Sequence, residues 1–184
     1  MTGFTTTEAH ALTGQSAKRI QKLIEREFIC CRTEEQGARS RRVLELADML
    51  MVVLLDEYRD LLSEGLRKRV HQHLHEAGDL EQIEQVEVEG VLILRVTGIR
   101  ERLQQEVGRL EEARRMVVES PKILGGEPVI RGTRIPVRQV AVMANTMSPE
   151  EILEGYPSLR REHIELARLY ARAYPKQGRP ARRG

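Results

Sequence analysis

A chain of 184 residues, 40% hydrophobic and 32% charged, is long enough for one or two domains and reads as a soluble, helix-leaning globular protein. Its 3% aromatic content argues against a stacking platform for single-stranded nucleic acid, and its longest apolar run, Met49 to Leu55, is too short to cross a bilayer. No signal peptide is visible, and the net charge of +2 divides into +2 over residues 1–45, −6 over 46–119 and +6 over 120–184.

In chain order, Thr5 and Glu8 have the spacing of a capping box, and Phe4 is placed to staple onto the first helical turn. That helix is expected to stop at Thr13-Gly14. Ser16 is set to cap a second helix with Ile20, Leu23 and Ile24 on one face and Lys18, Arg19, Gln21 and Lys22 on the other. Two short helices around a glycine turn, the second cationic outside, describe a helix-turn-helix. Phe28 to Arg32 reads as a strand, Thr33 to Ala38 as a polar turn and Arg41 to Leu44 as the return strand. The result is a wing bearing Arg32, Arg39, Arg41 and Arg42. Cys30 and Cys31, adjacent on that strand, are expected on opposite faces, one buried and one exposed. Two neighbouring thiols make neither a disulfide framework nor a zinc site.

Leu46 to about Glu76 is helical in pattern with a break near Ser63. Leu46, Leu50, Val53, Leu54, Leu61, Leu62, Leu66, Val70 and Leu74 supply its apolar surface, and Gly78-Asp79 ends it. Val86 to Val96 alternates around Glu89-Gly90, a hairpin signal. Ile99, Leu103, Val107 and Leu110 then form a stripe on a helix to about Arg115, serving either the core or a dimer seam. From Met116 the pattern is short strands at Val117-Val118 and Val129-Ile130, turns at Ser120-Pro121 and Gly125-Gly126, and a reversal at Gly132. A helix from about Arg138 to Asn145 follows, then a short one opened by Ser148-Pro149-Glu150-Glu151. The last runs to about Tyr174 with Ile164, Ala167, Leu169 and Tyr170 inward, and residues 176–184 read as a disordered basic tail.

The run Gly126-Glu127-Pro128-Val129-Ile130-Arg131-Gly132-Thr133-Arg134-Ile135-Pro136-Val137, with Ser148-Pro149-Glu150-Glu151-Ile152-Leu153 and Tyr156-Pro157-x-Leu159 after it, closely resembles the bacterial domain-of-unknown-function family four-three-three, also described as VapB-like antitoxin. The likeness covers the last third of the chain. The N-terminal part resembles, more loosely, a MerR-type winged helix-turn-helix. The pairing of the two is similar to antitoxins that act with PIN-like ribonuclease toxins. Against the MerR-type pattern, His10 stands for a small Ala, Gln15 for a Val, and Glu27 for the Gly that follows the recognition helix. In the C-terminal part Arg160 occupies the usual Thr/Ser cap of the last helix, with Ser158 available to cap instead.

The expected fold is therefore mainly α with small β-hairpins: a winged helix-turn-helix (1–78), a hairpin and connecting or dimerising helix (79–115), a homeodomain-like three-helix domain with a β-arm (116–175), and the tail (176–184). Lys18, Arg19, Gln21 and Lys22 would face bases or phosphates, Ser16 a phosphate at the helix N-terminus, and Arg39 and Arg41 the backbone beside the wing. The alternative is that these are solvated surface charges. Arg131, Thr133 and Arg134 are either a grip on a partner carboxylate or phosphate, or parts of a tight turn at Gly132. His71 and His75 have metal-pair spacing, with His73 between them, but no carboxylate lies in a Glu-x-x-His arrangement and the acidic stretch Glu76 to Glu89 has no anchoring motif. No catalytic triad, phosphate loop or dinucleotide fingerprint is present in the sequence, so no enzyme, metal or cofactor is expected. The resemblance implies a cytoplasmic, dimeric antitoxin that binds a PIN-like ribonuclease and represses its own operon through double-stranded operator DNA. A winged-helix regulator without a toxin is the alternative, and a metal-dependent enzyme built on His71 and His75 is the rival from another class.

Overall fold

The computed structural model describes residues 3–36, 39–77, 80, 82–88, 90 and 92–176. Its elements are mainly helical, with small antiparallel sheets. The chain divides into two compact units, residues 1–107 and 108–184.

The first unit opens with β1 (Phe4–Thr5) and α1 (Thr6–Thr13). The Thr5–Glu8 capping box forms in full, and Gly14 closes α1 in the left-handed region at φ 72°, its N–H donating to the His10 carbonyl. Ser16 Oγ accepts from Arg19 N at 3.2 Å and starts α2 (Ala17–Glu25). Phe4, expected to staple the first turn, pairs with Leu44 across the sheet and is buried. The segment expected as a wing forms an antiparallel hairpin of β2 (Arg32–Gln36) and β3 (Arg39–Leu44), and the sheet order is β1-β3-β2.

The first hairpin strand thus begins at Arg32, and not at Phe28 as the sequence pattern suggests. Phe28 and Ile29 are almost fully buried and anchor the loop leaving α2, so that stretch is apolar for core packing and not for strand alternation. Cys30 and Cys31 consequently sit before the strand, one exposed and one half-buried, and neither is the buried small hydrophobe expected.

α3 (Leu46–Glu57) is buried nearly all round, as befits the central helix of a small core. Its buried apolar residues are Ala47, Met49, Leu50, Met51, Val52, Leu54 and Leu55. Each fully buried Leu here contributes roughly 1.5–3 kcal/mol relative to exposure. After the break, Ser63 Oγ accepts from Leu66 N and caps α4 (Glu64–Glu76), which packs on α3. Leu61 is the exception to the expected apolar surface: it is 72% exposed on the turn, because Leu62 takes the buried place. The predicted helix end at Gly78-Asp79 lies outside the described residues. β4 (Gln85–Val88) and β5 (Leu92–Arg95) pair antiparallel, with Val86, Val88 and Leu94 buried.

α5 (Thr97–Met116) carries the boundary between the units. Ile99, Leu103 and Leu110 of its stripe are buried, and Val107 is half-buried. In the second unit β6 (Val117–Val118) pairs with β7 (Val129–Ile130), and a single 3-10 turn, Leu124–Gly126, lies between them. α6 (Val137–Met143), α7 (Pro149–Gly155) and α8 (Arg161–Ala173) follow, with α6 and α7 both packed on α8. Ile130, Val140, Ile152, Ile164 and Ala167 centre this core. Ser148 and Glu151 complete the capping box of α7. α8 starts from Arg160 and not from Ser158: the Arg160 N–H donates to His163 Nδ1 at 3.2 Å. Burial, then the Arg160 charge, pushes the His163 imidazole below its usual pKa. Of the predicted tail, residues 177–184 lie outside the described residues.

Candidate nucleic-acid interface

α2 buries Ile20 completely and turns Lys18 and Lys22 outward. Ser16 is exposed at its N-terminus, where its oxygen already serves as the cap while its hydroxyl proton remains available to a phosphate. Arg19 is differently placed. Its guanidinium donates to the Leu55 carbonyl at 3.2 Å and pairs with Asp56 at 3.3 Å, fastening α2 to the end of α3. Gln21 donates to Glu25 at 3.2 Å along the same helix.

The residues at which the chain departs from the MerR-type pattern are used structurally. The His10 ring meets the Gln15 carbonyl at 2.8 Å, and Gln15 Nε2 donates to Asp56 at 2.8 Å, so both brace the turn between α1 and α2. Glu27 adopts φ 57°. Its N–H donates to Ile24 and that of Phe28 to Leu23, which is a Schellman closure of α2 with Glu27 in the position where glycine is at ease.

Beside α2 lies a cleft of about 210 Å³ lined by Arg19, Lys22, Arg26, Arg59 and Arg67 over Phe28 and Leu55. Arg67 is held rigidly: Nε donates to the Leu62 carbonyl at 2.9 Å, a terminal nitrogen to the Arg59 carbonyl at 2.8 Å, and the guanidinium lies 5.4 Å from the Phe28 ring centre. Sequence reasoning missed Arg26, Arg59 and Arg67, because three separate stretches of chain deliver them to one place. Each lies close to a helix boundary, the one hint that local sequence offers.

On the β2–β3 hairpin, Arg41 pairs with Glu34 at 3.3 Å, and Arg32 bridges Glu34 and Glu45 at 3.0 and 2.8 Å. The hydrogen bond from Arg32, with that from Arg41, holds the Glu34 carboxyl below its usual range. Arg42 is exposed; Arg39 opens β3, and its side chain lies outside the described set.

In the second unit Gly132 has φ 79°. Thr133 Oγ1 donates to the Ile130 carbonyl at 2.8 Å and accepts from Ile135 N at 3.1 Å, bracing the turn from within. Arg131 Nε donates to the Arg115 carbonyl at 2.9 Å, beside a cleft shared with Arg160 and His163, and Arg134 is exposed. Tyr170 donates to Glu119 at 3.2 Å; burial and that carboxylate push the phenol up to about 12.

Residues 117–171 match a known family model. It is described as a protein of unknown function, DUF433. A relative from Sinorhizobium fredii (strain NBRC 101917 / NGR234), the uncharacterized protein y4eO, is 54% identical over 71 residues, which are 38% of this chain and 32% of that one. The chain thus spans about a third of the length of that relative. The crystal structure of Rv2018 from Mycobacterium tuberculosis covers 89% of this chain and 95% of its own at 12% identity and a TM-score of 0.39, a likeness too slight to carry the fold.

Proposed function

We propose that the protein is a VapB-like antitoxin. Its first unit acts as a MerR-like winged helix-turn-helix on operator DNA, and its DUF433 segment, a homeodomain-like bundle with a β-arm, binds a PIN-like ribonuclease. The observation that carries the DNA half is the outward cationic edge of α2, Lys18 and Lys22, continuous with the arginine cleft formed by Arg26, Arg59 and Arg67. A helix with one face buried and the other cationic suits the major groove, and fixed guanidinium groups beside it suit phosphates. The toxin half rests on the resemblance to VapB-like antitoxins; the family matched over 117–171 is described as of unknown function. Arg131 and Arg134, exposed on the turn before α6, are the groups offered to a carboxylate-rich partner.

The experiment is co-expression of an affinity-tagged copy of the chain with its neighbouring genes, followed by mass spectrometry of what co-elutes and by binding of the complex to its upstream DNA. A ribonuclease recovered in fixed stoichiometry, with retarded upstream DNA, is the expected result. Recovery of the chain alone with DNA binding intact would favour the regulator without a toxin.

A further inference from the structure

Three side chains that the DNA reading does not use meet where α3 packs on α4. Asp48, on the first turn of α3, is 1% exposed, and its Oδ1 lies 3.0 Å from His71 Nε2 and 3.1 Å from His75 Nε2, both on α4. Two backbone amides orient the carboxylate independently of the imidazoles: Cys30 N donates to Oδ1 and Glu45 N to Oδ2, each at 2.8 Å. Burial alone would raise this carboxyl, but the hydrogen bonds from His71, from the Glu45 and Cys30 amides and from His75 hold it below its usual range. Among the described residues its side-chain partners are these two histidines, with no Lys or Arg in the ion pairs it makes.

We propose that Asp48, His71 and His75 form a binding site for one divalent transition-metal ion, Zn²⁺ being the closest chemical match. A buried carboxylate ordinarily has a cation beside it or ligates a metal. Here Oδ1 has two lone pairs, one already taken by Cys30 N–H, and two imidazole Nε2 atoms converge on the other. A metal resolves that competition, because each imidazole then shifts its proton to Nδ1 and presents the Nε2 lone pair. The three ligand atoms lie within 4.8 Å of one another. Ligands held about 2.0–2.1 Å from a tetrahedral zinc are roughly 3.3 Å apart, close to the N···O separations found here. Two imidazoles and a carboxylate are a donor set for Zn²⁺, Co²⁺ or Ni²⁺ and not for Mg²⁺ or Ca²⁺. The backbone amides on Asp48 supply the orienting outer contacts such sites need. The His75 side chain, 30% exposed, gives the ion its way in. Bound there, the metal would tie α4 to α3 and to the loop that leaves α2.

The test uses the untagged full chain, stripped with chelator and titrated with Co²⁺ and then Zn²⁺. One Co²⁺ per chain, with visible bands of nitrogen and oxygen ligation bleached by Zn²⁺, is expected. Affinity should fall more than about tenfold in His75→Gln and in Asp48→Asn, and stay unchanged in His73→Gln. His73 is on the same helix but exposed, bonded to the Arg69 carbonyl at 3.0 Å. Zn²⁺ should raise the melting temperature of the wild type and of His73→Gln alone. Far-UV circular dichroism of each stripped variant checks its fold, and a variant that fails that check leaves the wild-type spectrum and stoichiometry to decide. No stoichiometric uptake by the wild type, uptake that His75→Gln retains, or thiolate charge-transfer bands from Cys30 or Cys31 would overturn the proposal.

Discussion

At the scale of single residues, two positions carry predictions that backbone angle and burial decide. Glu27 stands in the left-handed region at φ 57°, where a side chain is strained and glycine is not. Glu27→Gly is therefore expected to stabilise the first unit by about 0.5–1 kcal/mol in urea unfolding, the relief of strain exceeding the entropy that glycine adds to the unfolded chain. Tyr170 is buried against Glu119 with its phenol pushed up to about 12. A pKa raised on folding means that the protonated form is favoured in the native state. The stability it represents is complete below the ordinary tyrosine value near 10 and is lost as pH rises from there through about 12. In an alkaline absorbance titration the Tyr170 phenol should ionise late, and Glu119→Gln should bring it earlier. The caps are legible at this scale, since Thr5, Ser16 and Ser148 each act within three residues of themselves. The environment of Asp48 is not, because its histidine partners lie 23 and 27 residues away.

At the scale of elements, helices are more legible than strands. α2 has a face buried at Ile20 and a cationic edge, both visible in its spacing. The pattern misplaces the first strand of the β2–β3 hairpin because Phe28 and Ile29 are apolar for the core beneath them, and a short apolar run does not distinguish a strand from a buried loop. The division of α2 also sharpens its test. Arg19 holds α3, so replacing it would confound docking with folding. Lys18→Ala with Lys22→Ala leaves that anchor in place. If each lysine neutralises one phosphate, the slope of log affinity against log salt should become shallower by about 1.8. An unchanged slope would show that these lysines are solvated charges.

At the scale of the whole molecule, the chain divides into two units, 1–107 and 108–184, and the proposed function assigns DNA to the first and a protein partner to the second. The Lys18/Lys22 variant is then expected to lose operator affinity and still recover the co-expressed partner at wild-type stoichiometry. Equal loss of both would show that the two activities share one surface.

Local sequence by itself determined the caps that start α1, α2 and α7, the glycine turns at 14 and 132, and which segment resembles the DUF433 family. Caps, turns and amphipathic periods act over a few residues, so adjacent letters record them. Tertiary structure alone decided that Arg26, Arg59 and Arg67 share a cleft, that Arg19 is an anchor, and that Asp48 meets His71 and His75. Those meetings depend on how α3 and α4 pack, and packing is set by burial summed over the whole core, which no single stretch of sequence displays.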